Sequence, residues 1–249
     1  MINLKSKKEI DSIERSCRVV AEVLRRLERK IHPGVSTKEL DTIAEQWIRE
    51  MHAEPAFKNY RGYPATLCVS INEEVVHGIP SPRQLKEGDI VSIDVGARQN
   101  GYYGDAAFTF PVGEVAPHAL RVIKVTRESL YRGIEQARAG NHLSDISWAI
   151  QSWVERFGLS VVRDFVGHGI GKELHEPPQI PNYVTQGKGV RLEVGMVFAL
   201  EPMINAGTHR VKILDDGWTA ITEDNSLSAH FEHTVAIMEN GPRILTQWE

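Results

Sequence analysis

Apolar residues recur every third or fourth position near the start of the chain. Ile10, Ile13, Cys17, Val20, Leu24, Leu27 and Ile31 form one stripe behind a Ser6-Lys7-Lys8-Glu9 capping box, and His32-Pro33-Gly34 ends it. The spacing predicts a long amphipathic helix. A second box, Ser36-Thr37-Lys38-Glu39, opens another helix with Leu40, Ile43, Ala44, Trp47, Ile48 and Met51 on its apolar face. After a loop rich in Pro, Gly and Tyr the period drops to two. Thr66 to Ile71 reads as a strand, and Val75-Val76 is a short apolar piece before His77. Ile90 to Val95 alternates Val91, Ile93 and Val95 with Ser92 and Asp94. Asn100-Gly101 supplies the two positive-φ positions of a type I′ turn, and Tyr102 to Phe110 returns as the partner strand. That turn places Asp94 opposite Ala107, with Asp105 its diagonal neighbour on the same face, roughly 7–8 Å away. Two carboxylates so placed either point into water or share a cation.

The order of elements then comes round again. Leu120, Ile123, Leu130 and Ile134 mark a helix ending near Gly140, and Ile146 to Phe157 another ending at Gly158. Gly34 matches Gly140, Leu40 matches Ile146, Trp47 matches Trp153, Ile48 matches Val154 and Met51 matches Phe157. Further on, Leu85 matches Leu192, Gly88 matches Gly195, Ile90 matches Val197 and Asp94 matches Glu201. The pattern predicts an α/β (α+β) chain of two related halves, approximately residues 1–110 and 111–249, packed as one domain because no linker composition separates them.

Composition narrows the class. The 249 residues are 41% apolar, enough for one large core or two small ones. A net charge of −4 offers no broad basic field for nucleic acid. No apolar run approaches the roughly 20 residues of a membrane span. The N-terminal MINLKSKKEIDSIERS lacks the apolar core of a signal peptide. Two cysteines, Cys17 on a helix stripe and Cys68 in a strand, make no disulfide framework and read as reduced packing residues. A soluble cytoplasmic protein is expected, acting on neither nucleic acid nor membrane.

Candidate chemistry appears where charge enters apolar strands. Met196 to Met203 carries one charge, Glu201, and His230 to Met238 alternates Phe231, His233, Val235 and Ile237 with Glu232, Thr234 and Ala236. Each glutamate alone fits a strand-edge charge or a salt bridge; otherwise it must be paired or bound to metal. His168, in Gly167-His168-Gly169-Ile170-Gly171, fits a turn residue or a ligand whose glycines leave the imidazole face open. Together, Asp94, Asp105, His168, Glu201 and Glu232 form an oxygen-rich set with one nitrogen. It suits two divalent ions, with Co, Mn, Fe and Zn all compatible.

The motifs CVSINEEVVHGIP, IDVGARQNGYYGDAA, GHGIGKELHEPPQ, LEPM and SLSAHFEHT resemble those of type I methionine aminopeptidases, over essentially the whole chain. The resemblance is to the short bacterial form, without an N-terminal extension or a long helical insertion. It implies the pita-bread (creatinase/aminopeptidase) fold, two pseudo-symmetric halves around a central metal site. It implies metal-dependent removal of the N-terminal methionine from nascent proteins and peptides. Carried over, Asp94 would be bidentate to one metal, Asp105 and Glu232 would bridge both, and His168 and Glu201 would complete the other. A water bridging two cations is acidified enough to attack an amide near neutral pH. Glu201 would shuttle its proton, His175 would hydrogen-bond the scissile carbonyl and its oxyanion, and His77 would lie near the substrate amide. The methionine pocket maps to Tyr60, Tyr63, Cys68, His77 and Trp218, with Phe57 and Leu174 on its wall where bacterial forms carry cysteine and phenylalanine. Either choice keeps an apolar surface for a thioether. A monovalent cation, Na or K, is implied near Asn72 and Ser228. The implied setting is a monomer meeting nascent chains at the ribosome. His32, His52, His118, His142, His209, His230 and His233 fit no site pattern and read as surface or packing residues. The competing readings are a related Xaa-Pro peptidase and a non-catalytic pita-bread binding module.

Overall fold

Helix α1 (Lys7–Glu28) starts where its capping box dictates: the Ser6 hydroxyl accepts the Glu9 N–H, and the Glu9 carboxylate accepts the Ser6 N–H at 3.0 Å. Its stripe from Ile10 to Leu27 is buried. The helix stops short of Ile31, because Lys30 N–H turns back to Leu27 O (2.7 Å), and Ile31 packs half-buried beyond the end. Helix α2 (Thr37–Glu50) has the same box at Ser36 and buries Leu40, Ala44 and Ile48. The computed structural model describes residues 2–248.

Four strands follow: β1 (Glu54–Pro55), β2 (Leu67–Ile71), β3 (Glu74–Val76) and β4 (Ile90–Gln99). β4 turns at Asn100 (φ 52°) and Gly101 (φ 83°) into β5 (Tyr102–Pro111). The register is the expected one, Asp94 opposite Ala107 and Gly96 opposite Asp105. β4 also pairs with β1 and β2, and α1 lies across the hairpin. That approach needs Gly104. A Cβ there would sit 2.6 Å from Cys17 N and 2.8 Å from Ser16 C, both backbone atoms of α1.

The second half begins with α3 (Pro117–Gln136) and α4 (Leu143–Glu155). The buried face of α3 runs through Ala119, Val122, Thr126, Ser129 and Gly133, so Leu120, assigned to the apolar stripe from sequence, points out and is 49% exposed. The face turns because small residues let the helices approach, with Ile150 filling the space a Cβ on Gly133 would need. Strands β6 (Ser160–Val161), β7 (Gly167–Gly169), β8 (Glu176–Ile180) and β9 (Val197–Leu200) come next. Then follow β10 (Met203–Asn205), β11 (Val211–Ile213), β12 (Ala220–Thr222), β13 (Ser228–His230), β14 (His233–Met238) and β15 (Gly241–Ile244). An antiparallel sheet runs β15-β14-β9-β7-β8, β10 sits between β13 and β6, and β12 joins β11 to β3 of the first half.

The two halves make matching local bonds. Gly34 N–H donates to Leu85 O (2.8 Å) and Gly140 N–H to Leu192 O (2.9 Å). Isolated bridges pair Ser36 with Gln84 and His142 with Arg191. The glycines sit at φ 93° and 98°, in the left-handed region where a side chain is strained. One hydrophobic cluster holds Leu24 and Val91 from the first half with Leu130, Ile150, Phe198 and Val235 from the second. No described helix is long and apolar enough to cross a membrane.

Two strands expected to be continuous are broken. Met196 to Met203 divides at Glu201-Pro202, and His230 to Met238 divides at Phe231-Glu232. Pro202 has no N–H to give to a ladder. The pairs Leu200–His233 and Met203–His230 nevertheless keep one register across the gap, so Glu201 stands opposite Glu232 at a shared corner. Glu232 therefore owes its position to this corner rather than to strand alternation.

Candidate metal centre

The corner is pinned to the first half beside its acids. Glu232 N–H donates to Ala107 O at 2.7 Å. Thr234 Oγ1 donates to Asp105 O at 2.7 Å and accepts the Asp105 N–H at 3.2 Å. Thr109 Oγ1 donates to His230 O at 2.8 Å and accepts the His230 N–H at 2.9 Å. These bonds bring the hairpin carboxylates against Glu201 and Glu232.

Asp105, His168 and Glu232 are buried, each offering one ligand atom within 4.8 Å of the others. His168 Nδ1 lies 2.9 Å from Gly169 O, which can only accept, so Nδ1 is the donor and Nε2 is the nitrogen left to face the acids as a ligand. That Nε2 is 3.5 Å from Glu201 Oε1. Asp94, half-buried on β4, lines the same cavity with Glu201, beside these three.

The acids are poorly compensated by protein. Asp94 Oδ1, Asp105 Oδ1 and Glu232 Oε1 are buried without a hydrogen-bond partner. Burial pushes Asp94 and Glu201 up to about 7. Burial, then repulsion from the neighbouring acids, drives Asp105 and Glu232 well above the carboxylate range. Four carboxylates packed this closely, three of them with a buried oxygen left over, are costly unless cations neutralise them. The donors present, carboxylate oxygens and one imidazole nitrogen, fit divalent metal.

Above the acids opens a cavity of about 180 Å³. Its wall contains every residue assigned to the pocket from sequence: Phe57, Tyr60, Tyr63, Cys68, His77, Leu174, His175 and Trp218. Tyr63 OH is held by Leu67 O (3.0 Å) and Gly78 O (2.9 Å), and its ring meets Trp218 edge-on at 5.1 Å. The Trp218 backbone N–H donates to Asp216 Oδ1 (2.8 Å), fixing its main chain in the β11–β12 loop that β3 carries. Burial, then His230, pushes His77 down to about 4. His175 stands at the rim, stacked on Tyr60 at 5.3 Å and tilted against His168 at 4.2 Å. Lost hydration among these rings, then the nearness of His168, Arg61 and His77 to any positive charge placed on it, push it down to about 3. Both imidazoles are neutral near pH 7. Asn72 and Ser228 also meet, Ser228 N–H donating to Asn72 O at 2.8 Å.

Sequence reasoning missed three neighbours. His230 is buried, its Nε2 unpartnered and 3.7 Å from Glu201 Oε2; its place two residues before Glu232 was the available signal. Phe165 meets His77 edge-on at 5.3 Å. Arg61 lines the cavity mouth. The other histidines left out of the site, among them His233, bonded to Thr246 Oγ1 at 2.8 Å, lie outside the cavity wall.

A sequence model of metallopeptidase family M24 matches residues 11–239. The chain belongs to that family. A methionine aminopeptidase of Clostridium acetobutylicum is 54% identical over 250 residues, covering 100% of both chains. Methionine aminopeptidase 1 of Bacillus subtilis is 52% identical over 99% of this chain and 100% of its own. The crystal structure of a Thermotoga maritima methionine aminopeptidase superposes with a TM-score of 0.97 at 48% identity, over 99% of this chain and 100% of that one. The M24 chain thus has the pita-bread fold. Divalent metal use comes with M24 membership, and the cluster of buried acids and His168 is where this M24 chain has donors for it.

Proposed function

We propose that the protein is a methionyl aminopeptidase, a hydrolase that removes the N-terminal methionine from nascent proteins and peptides. The observation that carries the reading is the set of buried, unpartnered carboxylate oxygens at the floor of an apolar cavity sized for one side chain. Asp94, Asp105, His168, Glu201 and Glu232 would hold two divalent ions, with Co, Mn, Fe and Zn compatible with the donors. When bound, such ions act as Lewis acids that acidify water and polarise a carbonyl.

The side chains do the rest. Glu201 takes the proton of the attacking water and passes it to the leaving nitrogen. Tyr60 OH lies 2.9 Å from His175 Nδ1. With Tyr60 donating, the neutral ring keeps its proton on Nε2 and offers it to the scissile carbonyl, where negative charge grows. His77, neutral and wedged against Phe165 and Trp218, lies beside the substrate amide. Phe57, Tyr63, Cys68, Leu174 and Trp218 wrap the thioether, favourable through sulfur–aromatic contact.

The repeat and the shared core support one catalytic domain over residues 1–249; the reading extends to a monomer in the cytoplasm that meets chains emerging from the ribosome. The contact of Asn72 with Ser228 supports reading this place as a site for Na or K. The test is methionine release from Met-Ala-Ser against cleavage of Ala-Pro, with each divalent metal added to stripped protein. Release of methionine alone is expected. Cleavage of Ala-Pro alone would make the chain an Xaa-Pro peptidase, and a folded protein inert with every metal would make it a binding module.

A further inference from the structure

We propose that Arg61 is a specificity residue that selects a carboxylate in the residues following the substrate methionine. The inference rests on the aminopeptidase reading and adds to it a preference along the rest of the peptide. The cavity wall carries four acids, and Arg61 is the one lysine or arginine among its described residues. Arg61 also borders a surface groove past Gly167, Pro177 and Gln179, which shares His168 and His175 with the cavity. A peptide whose methionine fills the cavity leaves along that groove.

The guanidinium is both free and held. Among the described residues it has no carboxylate within ion-pair distance, while the groove's own acid, Glu176, is taken by Lys5 at 2.7 Å. It lies over the Tyr60 ring, 5.4 Å from its centroid, and Tyr60 stacks in turn on His175 at 5.3 Å. This stack orders a planar fork suited to a carboxylate. It also sets a reach. The two spacings put Arg61 within about 11 Å of the His175 ring, which at roughly 3.5 Å per extended residue reaches no farther than the third residue after the scissile bond. The backbone supports a side-chain role, since Arg61 sits at φ 50° between Asn59 at 69° and Gly62 at 91°. Left-handed φ is uncommon for a long side chain, and here it holds Arg61 at the cavity mouth.

A carboxylate near Arg61 comes either from an acidic side chain or from the C-terminus of a short peptide. The test separates them by kcat/KM of the metal-loaded enzyme. One pair is Met-Ala-Glu-amide against Met-Ala-Gln-amide, and the other is Met-Ala-Ser against Met-Ala-Ser-amide. We expect the charged member of at least one pair to be favoured about three- to ten-fold at low salt, with the preference shrinking as salt rises. The pair that responds identifies the source. Arg61→Gln should bring both ratios to about one, Arg61→Lys should keep part of the preference, and Arg61→Glu should turn it towards Met-Ala-Lys-amide. Ratios near one in the wild type, or a preference that survives Arg61→Gln, overturn the assignment of Arg61 alone. No methionine release from any of these peptides overturns the aminopeptidase reading and this one together.

Discussion

Glu201 and His175 do different work and should fail differently. Glu201→Gln keeps the size of the side chain and relieves repulsion among buried acids, so the fold should survive. Turnover should fall about 10²- to 10⁴-fold, because an amide cannot carry the proton. Near-normal turnover in the Glu201→Gln enzyme would remove Glu201 from the proton path. His175→Ala should lower kcat more than it raises KM, since its hydrogen bond strengthens as charge develops on the carbonyl oxygen. Tyr60→Phe removes the hydroxyl that fixes the His175 proton on Nε2. It should therefore lower kcat in the same direction, by roughly ten-fold, the worth of about one hydrogen bond. A change confined to KM in either variant would contradict the oxyanion role. These residues were legible because they sit in ordered motifs. Arg61 was not, since a rim arginine in a loop carries no periodic signal, and His230, although two residues before Glu232 on the strand period, also fits a packing residue. Only the folded corner shows that His230 Nε2 ends 3.7 Å from Glu201.

Elements were legible where local chemistry is decisive. Both capping boxes, the Asn100-Gly101 turn and the Asp94–Ala107 register follow from a few adjacent residues. The broken strands were not, because Pro202 interrupts its own strand and also the partner strand at Phe231-Glu232, a relation that exists only after pairing. The exposed Leu120 was missed for a similar reason, as the buried face of α3 is chosen by its contact with α4. Gly104 tests the most constrained of these contacts. A methyl group there meets α1 backbone on every near side, and Ser16 Oγ anchors the same place by donating to Tyr102 O at 2.8 Å. Gly104→Ala should cost about 2 kcal/mol by overpacking, read as a lower urea midpoint. The shift should spread to Asp105 next door and weaken metal binding in titration calorimetry. Unchanged stability would show that α1 is free to move off the hairpin.

Across the whole molecule, the same acids that prepare the site for metal oppose folding without it. Asp94 and Glu201 move from ordinary values of 3.8 and 4.5 up to about 7 in the metal-free fold. The folded state therefore holds protons that the unfolded chain has already released between about pH 4 and 7. Where the native state binds more protons, stability falls as pH rises. Metal-free protein should be more stable at pH 5 than at pH 8, by on the order of a few kcal/mol. Bound cations favour the charged carboxylates, so the trend should flatten or reverse in loaded protein. The comparison is melting temperature against pH for stripped and metal-loaded samples. Calorimetry in buffers of different ionisation enthalpy should also find protons released on metal binding at pH 7. Glu201→Gln should remove part of the metal-free slope, because the amide has no proton to lose. A stripped protein whose stability is flat from pH 5 to 8, with no proton release on loading, would mean the acids are already paired in solution, and the case for this corner as the metal site would fail with it.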